Sequence, residues 1–261
     1  MNDPMLEKLL HSKKYQGVCP DTVRRIYSEC LGKYKKTKDA EKAAREALHG
    51  ITGAFLTREE AARCMSDLEV WASQGREDAP LERALERHAS TRERLPLART
   101  DAMYGCILEV IGQPGAVLDL ACGLNPLYLS ARGIPVTGVD ISGEAVGVLN
   151  AAAERWGLPI HAVCGDLLCE NAIPEMRFHA ALLFKILPLL ERQRAGSAMA
   201  VMNAIDADYL VVSFPTRTLG GRNVGMEAHY SDWMDSHLPE NRTIAARFVA
   251  DNELFYILKE N

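Results

Sequence analysis

Three short apolar runs each end in an acid, and the placing of those acids is the chemically informative feature of the chain. Val117-Leu-Asp-Leu-Ala-Cys-Gly123 empties into a tight turn, Val136-Thr-Gly-Val-Asp140 follows about one βα unit later, and Cys164-Gly-Asp166 closes a third run. Strands of an open α/β sheet that deliver a glycine turn and carboxylates to their carboxyl edge can hold a nucleoside there. Gly123 lets backbone approach a ligand closely, Asp140 can accept both hydroxyls of a ribose, and Asp166 can accept an exocyclic amine of adenine. Ala121 and Pro126 stand where the dinucleotide pattern G-x-G-x-x-G needs its outer glycines. Nothing therefore cradles a pyrophosphate, and a single nucleoside is favoured.

This shape resembles the class I S-adenosylmethionine-dependent methyltransferases. Such a cofactor ends in an α-carboxylate, and His88-Ala-Ser-Thr-Arg-Glu-Arg-Leu-Pro96 offers it a planar, always-charged guanidinium from Arg92 or Arg94; spacing does not choose between them. Phe184-Lys-Ile-Leu-Pro-Leu-Leu-Glu191 follows the fourth apolar run and lacks the Asn/Asp-Pro-Pro-aromatic signature of enzymes that methylate exocyclic amines. Guanine N7 carries an in-plane lone pair and no proton, so its methylation needs alignment rather than a general base. Lys185 and Glu191 are then expected to position a nucleotide; the plainer alternative is that they flank a strand end and cap a helix. Cys122 sits beside the turn without an activating base, and Trp156 is expected to pack in the core rather than wall an adenine.

The elements that must carry these residues alternate. Strands are expected at 116–121, 136–141, 161–165, 180–185 and 209–214, with helices from Ser142 and over 188–205, and with 244–249 and 254–258 as a late hairpin. Alternation of this kind predicts an α/β fold, a mainly parallel Rossmann-like sheet with helices on both faces. Before it the chain reads as helical. Leu6, Leu9 and Leu10 share a face, and after Pro20 the positions Val23, Ile26, Tyr27, Cys30 and Leu31 repeat at helical spacing. Thr57-Arg-Glu-Glu60 matches a capping box, as does Ser90 to Glu93, and a helix from about Thr100 leads into the first strand. The expected division is a helical domain over 1–100 and a catalytic domain over 101–261.

A chain of 261 residues with 48% hydrophobic and 25% charged residues can bury a full core. No apolar run approaches membrane-spanning length, and Met1-Asn-Asp-Pro4 lacks the basic flank and apolar core of a secretory signal, so a cytoplasmic protein is expected. Seven scattered cysteines without a C-x-x-C pair argue against a disulfide framework and against zinc; no metal is expected. The net charge of −5 divides unevenly, because residues 1–50 hold eleven Lys or Arg against seven Asp or Glu. A basic arm on an acidic body suits a polyanionic partner, with Lys13, Lys14, Arg24 and Arg25 as candidate phosphate ligands; a solvated helix face is the alternative.

Five blocks then point to one family: His88–Arg94, Asp119–Pro126, Phe184–Glu191, Ala195–Met199 and Ser213–Arg222, joined by Ser12–Tyr15 and Pro20–Ile26 in the basic arm. Together they closely resemble the aminoglycoside-resistance 16S rRNA (guanine-1405-N7) methyltransferases, over nearly the whole chain. The resemblance implies a helical domain that docks on 16S rRNA within the 30S ribosomal subunit and a Rossmann-like domain that binds S-adenosylmethionine. It implies Arg94 on the methionine carboxylate with His88, Ala89 and Ser90 alongside, Ala121 and Gly123 in the turn, Asp140 on the ribose, and Asp166 with Leu167 at the adenine. Phe55, Phe184 and Gln193 match further cofactor positions, Lys185 and Glu191 match target positions, and a monomer is expected. A small-molecule methyltransferase and a non-catalytic ribosome-binding factor are the rival readings.

Overall fold

The computed structural model describes residues 3–52, 55–216 and 225–261. Its helices and strands run in the order α1 (Pro4–Leu10), α2 (Pro20–Lys33), α3 (Thr37–Thr52), α4 (Arg58–Ser73), α5 (Asp78–Glu86), α6 (Ala89–Arg92) and α7 (Leu97–Ile111), then β1 (Val117–Leu120), α8 (Asn125–Ala131), β2 (Val136–Asp140), α9 (Gly143–Trp156), β3 (Ile160–Cys164), β4 (Phe178–Phe184), α10 (Leu187–Gln193), α11 (Ser197–Ala204), β5 (Ala207–Pro215), α12 (Met226–Ser236), β6 (Arg242–Ala250) and β7 (Glu253–Glu260). The strands form one sheet in the order β3-β2-β1-β4-β5-β7-β6. The first five are parallel, and β7 enters antiparallel between β5 and β6. Chain direction across the sheet reverses between β1 and β4, which opens a crevice at their carboxyl ends.

Local chemistry explains most boundaries. Thr57 and Glu60 make the reciprocal capping box of α4, and Ser142 caps α9, which stops at left-handed Gly157. β1 is buried along its whole length, as an apolar central strand covered on both faces must be. The single helix expected over 188–205 is two helices. Arg194 turns extended and Gly196 takes φ +79°, and both glycine and Ala198 N–H groups donate to the Glu191 carboxylate. The expected Ser90 capping box is also replaced: His88 is the N-cap of α6, its Nδ1 meeting the Ser90 N–H and hydroxyl.

Three apolar clusters hold the fold together. One covers a face of the sheet and contains Leu68 and Trp71 of α4, Leu81 and Leu85 of α5, Ile107 of α7 and Leu149 of α9; Trp156 packs against it rather than at the crevice. A second covers the other face, where α10, α11 and α12 pack. The third, around Leu9, Tyr15, Val23, Tyr27 and Leu48, belongs to α1–α3. The apolar clusters separate near residue 55, because α4 and α5 spend their buried side chains on the sheet's core and pack as one unit with it. The N-terminal helices are joined to that unit by the side-chain pairs Arg25–Asp166 and Glu29–Arg194 and by a backbone seam. Cys19 N–H donates to Ile141 O and Gly143 N–H to Gly17 O, both at 2.8 Å, beside the carboxyl end of β2.

Candidate active site

Two of the three expected strand-end acids, Asp140 and Asp166, do converge, whereas Asp119 lies inside β1, buried behind the turn. Ala121, Asp140, Asp166 and Leu167 line one cavity at the strand ends, closed by Ile186, Leu190 and Gln193 on one side and by Arg25 and Ile51 from the N-terminal helices on another. Backbone strain collects at the same edge: Ala121 has φ +57°, Gly123 +53° and Lys185 +56°. Left-handed non-glycine residues persist where the surrounding structure over-determines them, commonly around ligands. Gly123 is bare for a specific reason. A Cβ there would lie 2.6 Å from His88 Cε1 and 2.7 Å from Ser90 Oγ.

Asp140 is nearly buried, and its two oxygens accept Gly123 N–H and Ser142 N–H at 2.8 Å each. Burial raises its carboxyl above the ordinary range, and those N–H groups act against the rise. Each oxygen keeps a second lone pair for a ribose hydroxyl. Asp166 accepts Leu168 N–H on Oδ1. Burial lowers His88 and keeps the ring neutral despite the nearby Asp140. Burial likewise lifts the Cys122 thiol well above its usual value, so it is no nucleophile. Behind the turn, Asp119 is pushed up to about 7 by burial and accepts Asn125 Nδ2 at 2.7 Å; Tyr104 O–H in turn donates to Asn125 Oδ1.

Arg94 lies on the Phe184 ring, 4.5 Å from its centroid, and lines with Glu93, Lys185 and Glu253 a second cavity, apart from the one that Asp140 and Asp166 line. Its Nε and Nη2 donate to Glu253, leaving Nη1 without an acceptor among the described residues. Arg92 is exposed. The donor set fits a zwitterionic nucleoside: a guanidine nitrogen for a carboxylate, a bare turn for close approach, a carboxylate for a ribose and another for an amine.

Other expected site residues lie elsewhere. Phe55 lines a separate cleft with Lys13, Lys14, His49 and Arg58. Glu191 caps α11, accepting the Gly196 and Ala198 N–H groups. Arg25 is not a free phosphate ligand: its Nε and Nη2 each lie 2.9 Å from Asp166 Oδ2, Nη2 reaches Gln193 Oε1 at 3.2 Å, and only 9% of the side chain is exposed. Arg24 is exposed and pairs loosely with Asp21, and Lys13 and Lys14 remain exposed. Lys185 contacts Glu93 at 2.8 Å and Glu253 at 3.3 Å. Residues 217–222 of the Ser213–Arg222 block lie outside the described residues. Sequence reading missed Glu253 and Ile51, since neither sits in a pattern tied to a strand end. Among the described residues no cluster of acids, histidines or cysteines could hold a metal, and no helix is long and apolar enough to cross a membrane.

A parallel sheet with an antiparallel seventh strand and acid-ended strands around a bare glycine turn defines a class I methyltransferase. The particular branch follows from comparison with known proteins: the sequence pattern of the family described as ribosomal RNA methyltransferase (FmrO) matches residues 11–257, and the chain belongs to that family. A 16S rRNA (guanine(1405)-N(7))-methyltransferase from Serratia marcescens is 42% identical over 257 residues, covering 98% of this chain and 97% of the relative. One from Micromonospora echinospora is 35% identical, covering 99% and 96%. Among solved structures, the 16S rRNA methyltransferase RmtF in complex with S-adenosyl-L-homocysteine superposes with a TM-score of 0.88 at 42% identity, covering all of both chains. The 16S rRNA methylase RmtB gives 0.84 at 39%, covering 98% and 97%.

Proposed function

We propose that this protein transfers the methyl group of S-adenosylmethionine to N7 of guanine 1405 in 16S rRNA, acting as a monomer on the small ribosomal subunit in the cytoplasm, and so confers aminoglycoside resistance. The observation that carries this reading is the extent of the likeness: 42% identity spans 98% of the chain, and so includes the target side and the basic N-terminal helices as well as the nucleoside crevice. A shared cofactor site alone would match the sheet and little else.

The cofactor supplies an electrophilic methyl on a sulfonium. Asp140 would hold its ribose, Asp166 and Leu167 its adenine, and Arg94 its carboxylate, with the Gly123 turn against it. The target nitrogen needs no base, and Lys185 is committed to two carboxylates. Catalysis is then alignment of a lone pair with the methyl. Lys13, Lys14 and Arg24 leave an exposed cationic face for phosphates. A methyl on N7 removes an acceptor and adds a fixed positive charge, which repels a cationic drug.

Incubating the protein with methyl-tritiated S-adenosylmethionine and purified small subunits, then cleaving the rRNA at N7-methylguanine with borohydride and aniline and mapping the break by primer extension, tests the proposal. Label and a stop at the guanine support it. Unlabelled rRNA with methylation of a small molecule, or subunit binding without cofactor binding, defeats it.

A further inference from the structure

The first residue of β7 brings a carboxylate from the far end of the chain to a cavity that it lines with Glu93, Arg94 and Lys185. Glu253 is 4% exposed. Its Oε1 accepts Arg94 Nη2 at 2.8 Å and the Ser213 hydroxyl, and its Oε2 accepts Arg94 Nε at 3.2 Å and lies 3.3 Å from Lys185 Nζ. Burial by itself would raise this carboxyl, yet Arg94, Lys185 and the Ser213 hydroxyl hold it below the usual range, so it is an anion. One buried charge thus serves two cations from different elements, and Ser213 at the end of β5 fixes the orientation of the carboxylate itself.

We propose that Glu253 is a positioning residue for methyl transfer, aiming Arg94 at the cofactor's carboxylate and holding Lys185 at the target side of the crevice. The inference rests on the proposed function for its Lys185 half and on the nucleoside site alone for its Arg94 half. Geometry carries it. A guanidinium offers five N–H groups in a rigid plane. Glu253 takes the Nε and Nη2 edge, and the Phe184 ring lies against the plane, so the remaining Nη1 is fixed in direction. An arginine without this clamp has to be ordered by the ligand at each binding event, which weakens binding by about tenfold. Lys185 would keep Glu93 but lose its buried partner, and its ammonium would swing toward solvent.

Calorimetry with S-adenosylhomocysteine on the full chain, for Glu253→Gln, Arg94→Ala and the double variant, separates this role from general support. Each variant is first checked by thermal unfolding. Glu253→Gln should weaken binding about tenfold, Arg94→Ala by more, and the double variant should bind no more weakly than Arg94→Ala, because Glu253 acts through that arginine. A folded Glu253→Gln protein that binds like the parent, or losses that multiply in the double variant, overturns the proposal. If Glu253→Gln does not fold, Glu253→Asp retains the charge but draws it back by one methylene; unchanged affinity there is equally fatal. In methylation of small subunits, Glu253→Gln should raise KM for the cofactor and lower kcat, with no further fall in kcat when Lys185→Ala is added. Failure of the parent to methylate subunits would sink the proposed target, and the calorimetric cycle would still decide the Arg94 half.

Discussion

Replacing Arg25 by alanine should damage the fold and spare docking, the opposite of what its place among surface cations suggests. Its guanidinium makes two contacts of 2.9 Å to Asp166 Oδ2, with both side chains nearly sealed from solvent. Removing one partner of such a pair leaves a desolvated charge, which costs about 3–5 kcal/mol in fully dry sites. Asp166 keeps the Leu168 N–H, and the cavity beside it can admit water, so the loss should be nearer ~2–3 kcal/mol. For a chain of this size that lowers the unfolding temperature by about 5–10 °C. Arg24→Ala breaks only an exposed contact with Asp21 and should change stability by less than about 1 kcal/mol. Two assays separate the cases: thermal unfolding, and subunit binding against salt concentration. Charge reversal at Lys13, Lys14 and Arg24 together should reduce the slope of log affinity against log salt by about two, whereas Arg25→Ala should leave it unchanged. A stable Arg25→Ala protein with a reduced slope would refute the reasoning.

Gly123→Ala should lose about 2–3 kcal/mol of stability and most cofactor affinity, since the new methyl meets His88 and Ser90 at a left-handed residue; Gly115→Ala, with nothing near it, should be neutral in the same unfolding and calorimetric measurements. Asp119 binds a proton in the folded state up to about pH 7 that the unfolded chain releases near the ordinary carboxyl value of 3.8, so its contribution to stability falls as pH rises through that window. Asp119→Asn should therefore gain unfolding temperature relative to the parent on going from pH 5 to pH 8, and a constant difference would contradict the assignment. Glu191→Ala should cost about 1–2 kcal/mol through the lost α11 cap, with activity falling only as far as stability does; a selective rise in KM for subunits would show that it also engages the target.

The parallel sheet was legible because its strands are short apolar runs, each stopped by an acid or a turn, and the period of the pattern states which way they lie. Asp140, Asp166, Ala121 and Gly123 were legible for the same reason, since position at a strand end decides what reaches the crevice. What escaped depends on contacts between distant segments. Nothing local distinguishes Arg25 from Arg24, yet one faces Asp166 and the other water. Glu191 and Gly196 read as one helix with their neighbours because a side chain that caps the next helix leaves no periodic trace. Glu253 looks like a hairpin-turn residue, and its role exists only because β7 is inserted beside β5. The basic arm was legible as charge, but the cleft around Phe55 and the place of α4 in the sheet's core follow from packing.

The backbone seam between residues 17–19 and 141–143, with Arg25 and Ile51 reaching past it, bears on protein engineering. A chimera that grafts the first helices of one relative onto the sheet of another would carry across a wall of the donor pocket along with the docking face. Any shift in ribosome preference obtained that way would arrive together with altered affinity for the methyl donor, unless the crossover preserves Arg25, Ile51 and the segment around Cys19.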